Sequence, residues 1–361
     1  MTKENFFDYV TSLLHTIKKP INILLVTCKK PLIQELTEWN PKYFDVKVDG
    51  DDEIFSIDIT RLMANQFSHI EDPRRVRVEA RIIKYGKMPI YMIFSDCNKS
   101  DFKNVITKLM QKHYPDVSKL FLTNKEIEKI VVKLEEKTGN EIIVENYSIK
   151  ERLFGKHKKV KSVTSSTEEY HSDFFADVAR TNSWINSIRL TAKITKNIDG
   201  EEISMSTFSG VIARECFFAV TRNFVPFLES VIPSAIDFAY KRNQYLSIRS
   251  EILQKKENVE PIVIKFKDAP FSDISENKNF VEAFLALEKF SVSSFHTNPY
   301  IQISLLDYLD GSSYDLWVVS QDRLVIYPQS SASTASMSRV VNHVFERIKE
   351  GVVENFAEIQ L

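Results

Sequence analysis

Glycine is scarce in this chain, with 8 among 361 residues. Glycine is the residue that lets backbone turn sharply or come close to a ligand, so few positions are suited to cradling a phosphate. Neither GxGxxG nor GxxxxGK(S/T) occurs, which removes the two best-known phosphate loops. Cysteine is rarer still: Cys28, Cys97 and Cys216 are odd in number and far apart, as expected of free thiols in a reducing compartment rather than of a disulfide frame. There is no CxxC pair, no HExxH and no GxSxG, and the seven histidines are dispersed without metal-ligand spacing. No metal and no cofactor are therefore expected. Long apolar runs are missing as well. The longest lies near Ile21–Val26, far short of the roughly 18–20 residues that cross a bilayer. The first residues, MTKENFFDYV, lack a basic region followed by an apolar core. The expectation is a soluble, cytoplasmic protein.

What is present suits a multidomain globular chain. Apolar residues make up 43% and charged residues 27%, and phenylalanine reaches 25, enough to build more than one core. The net charge of −1 is unevenly spread: residues 1–161 carry a net +6 and the remainder a net −7. Such asymmetry points to a basic partner surface in the first part of the chain.

Periodicity then places the elements. An apolar stripe at three- and four-residue spacing predicts a helix over Lys3–Lys18, ended by Pro20. INILLVT reads as a buried strand, and Phe44–Ile59 as two strands around an acidic Gly turn. Arg74–Tyr85 alternates: Arg75, Arg77, Glu79 and Arg81 point to one face, and Val76, Val78, Ala80 and Ile82 to the other. A helix follows over Asp101–Tyr114. Thr123 and Glu126 have capping-box spacing ahead of a helix that Gly139 ends. Ser162–Thr167 reads as a hydroxyl-rich loop, with Ser166 and Glu169 repeating the capping-box spacing. SIRLTAKI alternates again, with Arg189 and Lys193 outward. In the last part, helices are expected over Asn279–Phe290 and Ser333–Phe356, around a hairpin that turns at Asp310-Gly311.

A hairpin, a further strand and a long helix thus recur near 74–114, 186–242 and 298–356. The fold class expected is α+β, with antiparallel sheets covered by helices on one side. The domains expected are an N-terminal α+β domain at 1–149, a basic and polar linker at 150–167, a middle α+β module at 168–260 and a C-terminal α+β module at 261–361.

Two readings of function compete on charge. Arg75, Arg77, Arg81, Arg189 and Lys193 on open strand faces, with Arg152, Lys156, Lys158, Lys159 and Lys161 in the stretch KERLFGKHKKVKS, form a candidate track for a nucleic-acid backbone. Tyr85, Tyr91 and Phe154 are aromatic groups that would stack on bases if exposed. The same cations also suit an acidic protein surface, or a plain solvated face in which Glu79 pairs with arginine across strands. The leading reading is a non-enzymatic nucleic-acid-binding or complex-assembly subunit, whose partner is a nucleic-acid backbone or an acidic protein surface. A second reading is a Mg-dependent nuclease using Asp45 and Lys47 beside neighbouring acids. A third is a protein-interaction scaffold without nucleic acid. The Ser-rich start of the last helix, with Arg339, offers either helix caps or a phosphate site.

Overall fold

The computed structural model describes residues 20–39, 41–63, 74–86, 88–151, 162–198, 201–254, 261–296, 301–329 and 332–355. The expected first helix and most of the basic stretch, including Arg152, Lys156, Lys158, Lys159 and Lys161, lie outside them. The fold is α+β, built on two antiparallel sheets. The chain divides into two compact units, one of Met1–Ser148, Thr164–Arg180 and Ile185–Asp237, the other of Ile149–Val163, Thr181–Trp184 and Phe238–Leu361.

The first sheet runs β2 (Phe44–Gly50), β3 (Ile54–Met63), β4 (Arg74–Lys84), β5 (Ile90–Ser95), β1 (Ile21–Cys28), β11 (Phe217–Arg222), β10 (Glu201–Ala213), β9 (Ser183–Ile198), β7 (Glu141–Glu151) and β8 (Ser162–Tyr170), and the short β6 (Val117–Lys119) also pairs with β1. Residues of the expected N-terminal domain and middle module therefore share one sheet, joined where Ile21 of β1 lies opposite Val220 of β11.

The alternation read along β4 holds. Val76, Val78, Ala80 and Ile82 are buried with Ile57 and Ile59 of β3 and Leu24 and Val26 of β1. Their cover is a helix over residues 99–112 (α2), which contributes Phe102, Val105, Ile106 and Leu109, and α1 (Leu32–Glu38), which contributes Leu32 and Leu36. The middle of α2, Phe102–Thr107, is π-helical, a single wide turn of the kind proteins insert into otherwise regular helices.

The opposite face is open on β2–β4 but closes from β5 onward. Phe94 of β5 lies against Phe224, and Phe208 and Phe218 lie against Phe227, at the start of α5 (residues 227–254). That closure demands glycine at 210, since a β-carbon there would sit 2.5 Å from the Phe227 ring. The expectation of helices on one side thus fits the edge of this sheet, while β1 and β5 are buried on both faces.

The capping box forms as spaced. Thr123 accepts from the Glu126 amide, Glu126 accepts from the Thr123 amide, and α3 (Asn124–Thr138) ends at Gly139 with φ +62°. Ser162–Thr167 is not a loop but the start of β8, so Ser166 caps nothing, and α4 (His171–Arg180) begins directly after the strand. Tyr170 and His171 both bond the Glu135 carboxylate on α3 and anchor this junction. Those bonds outweigh the effect of burial and lower the Glu135 pKa, while the Tyr170 phenol is pushed up to about 12 by its bond to that carboxylate.

The second sheet runs β13 (Phe290–His296), β14 (Gln302–Asp307), β15 (Ser313–Ser320), β16 (Arg323–Pro328), β12 (Ile262–Phe266) and β17 (Gly351–Asn355). Its helices are α6 (Ile274–Leu285) and α7 (Thr334–Arg347). Phe290 begins a strand rather than ending a helix, and the last helix stops at Arg347. Val352 and Val353, which prolong its apolar stripe in sequence, belong to β17 and pair with β12. Rings of Phe266, Phe271, Phe280, Phe284 and His343 form a contact chain from β12 through α6 to α7.

Candidate binding face on the first sheet

The open face of β2–β4 carries eight charged side chains by alternation alone. Asp45, Lys47 and Asp49 come from β2, Asp58 from β3, and Arg75, Arg77, Glu79 and Arg81 from β4. Four are cations and four are acids, and the register decides how they meet. Asp58 lies directly opposite Glu79, and Lys47 opposite Asp58. Two acids facing each other across strands repel. Arg77, one pair along, answers both. Its Nη2 lies 2.6 Å from the Asp58 carboxylate and 3.4 Å from Glu79, and its Nε donates to Asp58 at 2.9 Å. The bond from Arg77 holds the Asp58 carboxyl below its ordinary range despite some burial, and the charges of Arg77 and Lys47 add to that lowering.

Two shallow depressions mark this face. One, of about 400 Å³, is lined by Lys47, Asp49, Asp58, Glu79, Arg81 and Asp96 among others, with Ile21 and Phe94 beneath. The other, of about 200 Å³, is lined by Asp45, Lys47, Asp58, Thr60 and Arg77. Two large apolar side chains stand at the end of the face where β2 begins. Tyr43 is 58% exposed, and Leu62, whose amide donates to the Tyr43 carbonyl, is also exposed. Trp39 is 49% exposed nearby in sequence, its ring edge-on to His113.

The expected site residues do not all come together. Arg75, Arg77 and Arg81 share the open face. Arg189 and Lys193 stand on β9, separated from β4 by four strands. Both are half-buried, Thr191 between them is buried, and Lys193 pairs with Glu168 of β8 at 3.3 Å. The two basic strands are thus not one continuous cationic track. Tyr91 is buried, with its hydroxyl donating to Asp52, so it does not present a ring to solvent. Asp45 and Lys47 are exposed on β2, opposite Thr60 and Asp58. Among the described residues no three His, Cys, Asp or Glu side chains are grouped so as to hold a metal ion.

Sequence reasoning missed Asp58 as the partner of Arg77. The two are 19 residues apart, and only the β3–β4 register brings them together. It also missed Asp307. This carboxylate is fully buried and accepts from Arg339 at 2.8 and 3.0 Å and from the Ser336 hydroxyl at 2.7 Å. Asp310 bonds the Ser333 hydroxyl, and Ser333 caps the Ser336 amide. The start of α7 is therefore closed by the chain's own carboxylates, the negative charge that a helix N-terminus favours. The serines act as caps there, and Arg339 is committed to Asp307.

Among the described residues no helix is long and apolar enough to cross a membrane. No protein-family model matches the chain, and no curated protein does. Among solved structures, the DNA polymerase sliding clamp from Caulobacter crescentus aligns over 85% of this chain and 90% of that chain at 8% identity. The TM-score is 0.08, a value at which no likeness of fold is shown.

Proposed function

We propose that the chain is a non-enzymatic assembly subunit that holds a protein partner on the open face of β2–β4. One observation carries this reading: the cations of that face are matched by acids, and Arg77 is already engaged by Asp58 and Glu79. A phosphate backbone is met by surplus positive charge. A balanced mosaic instead gives orientation and selectivity towards a protein surface of complementary pattern. The exposed Tyr43 and Leu62 at one end supply the apolar anchor that such surfaces use.

The test places a photo-crosslinking residue at Thr60, within the face, and as a control at Lys129, on α3, in cells that make the chain. The expected result is a discrete protein adduct from Thr60 alone, lost in Arg77→Glu. An adduct to nucleic acid, or none, overturns the reading.

The basic stretch at 150–161 favours a second reading, in which it follows a nucleic-acid backbone. Salt-sensitive binding of labelled DNA or RNA that is lost when Lys156, Lys158, Lys159 and Lys161 are neutralised supports it. Unchanged binding in that variant rejects it.

A further inference from the structure

We infer that the partner enters as an added strand on the free edge of β2: an extended segment, antiparallel to it, that alternates basic and acidic residues and ends in an aliphatic one. The inference rests on the assembly reading above and names the partner's chemistry.

Four observations converge on that edge. Among the described residues β2 pairs only with β3. Leu62 donates to the Tyr43 carbonyl and Asp51 to the Ile54 carbonyl. That phase turns the odd residues of β2 towards β3 and directs the N–H and C=O groups of Val46 and Val48 outward, because bonded and non-bonded positions alternate along an antiparallel pair. A strand edge of this kind is a template for another strand.

The side chains of β2 specify what fits. Asp45, Lys47 and Asp49 alternate in sign on the open face, so an added strand needs a cation, an acid and a cation opposite them. Val46 and Val48 are half-buried on the helix side, so the residues between should be apolar.

The strand also starts at an anchor. Tyr43 adopts φ +75°, a left-handed conformation unusual for a bulky residue, and its ring stands exposed beside Leu62. By contrast β8, at the other end of this sheet, is built of Ser, Thr and Glu around a single Val, and its one aromatic residue, Tyr170, is tied to Glu135 of α3. Every registered pair in the first sheet is antiparallel, so the added strand continues that pattern.

Read antiparallel to β2 from Asp49 to Tyr43, the complementary segment is Lys-Val-Glu-Val-Lys-Val-Leu. The experiment uses the full chain and a fluorescent peptide carrying that heptad with soluble flanks. Saturable binding is expected, and N-methylation of the peptide amides that face β2 should abolish it. The charge-reversed peptide, with Glu and Lys exchanged, should bind about tenfold more weakly. In the triple variant Asp45→Lys, Lys47→Glu, Asp49→Lys the preference should invert, so that the reversed peptide binds better. A variant that simply misfolds would lose both peptides and could not give this inversion. Equal binding of both peptides, insensitivity to N-methylation, or absence of binding to the wild-type chain overturns the inference. A Thr60 protein adduct that persists unchanged in the triple variant would leave the open-face reading standing while removing strand addition.

Discussion

Arginine meets aspartate in both units, to opposite effect. On the open face of the first unit Arg77 is 66% exposed and holds Asp58 in a forked pair. In the second unit Arg339 is 27% exposed and holds Asp307, which is 0% exposed, at the start of α7. The hydrogen bonds are of similar length. What differs is the water around them. In the second unit a carboxylate has been taken out of solvent, so its partner is obligatory. In the first unit water screens both charges, so the pair contributes pattern rather than stability. Geometry of contact alone is thus a poor guide to what a charge pair does, and burial separates the structural pair from the recognitional one.

The comparison breaks most sharply at Arg339. Arg339→Leu takes the guanidinium away from the buried Asp307 carboxylate, and should cost about 3–5 kcal/mol in urea unfolding of the second unit. If the loss is below about 1 kcal/mol, the two pairs are equivalent and the distinction fails.

His343 tests the same burial by pH. It is buried on α7, with its Nε2–H donating to the Ala283 carbonyl, and burial lowers its pKa from 6.5 to about 4, with Arg347 and Arg339 adding to that lowering. A histidine held neutral in this way stabilises the fold above pH 6.5, and that contribution is lost as pH falls towards 4. The expected loss is on the order of 3 kcal/mol, and His343→Leu should flatten the unfolding midpoint over that window. His113 is also shifted down by burial, so the residual slope in the variant reports on the first unit.

A neutral core substitution calibrates the scale. Gly210→Ala forces a methyl against the buried Phe227 ring and should cost about 1–3 kcal/mol. The smallest effect on stability belongs to Arg77→Leu, which should leave the unfolding midpoint unchanged in low and high salt while removing the Thr60 adduct. A clear drop in midpoint would make Arg77 a structural residue after all.

Elements with strict periodicity or a defined cap were legible in the sequence. RRVRVEARIIK announced which face was open, and Thr123 with Glu126 marked a helix start to the residue. The failures share a cause. β8 reads as a loop because Ser and Thr favour turns in isolation, yet pairing with β7 makes it a strand. β17 reads as helix because Val352 and Val353 prolong an apolar stripe. Gly351 permits the turn into the sheet instead, since a β-carbon there would meet Ile264 and the Lys265 carbonyl at 2.7 Å. The site was half legible for the same reason. Alternation gave the cations of β4 and Glu79 beside them, but the other three acids come from β2 and β3 through register, and the distance of Arg189 and Lys193 from them comes from strand order.

The pairing of Ile21 with Val220 has a consequence in time. About 200 residues separate the two strands, and translation proceeds at roughly 5–20 residues per second. During synthesis β1 therefore waits on the order of 10–40 seconds for β11, with β5 and β6 as its earlier neighbours. The Ile21–Leu24 part of its second edge lacks β11 for that whole interval, since β6 covers only Val26–Cys28. A nascent chain stalled before residue 217 would present that apolar strand to chaperones or to other nascent chains, and a fragment cut near residue 150 should be recovered mainly as aggregate.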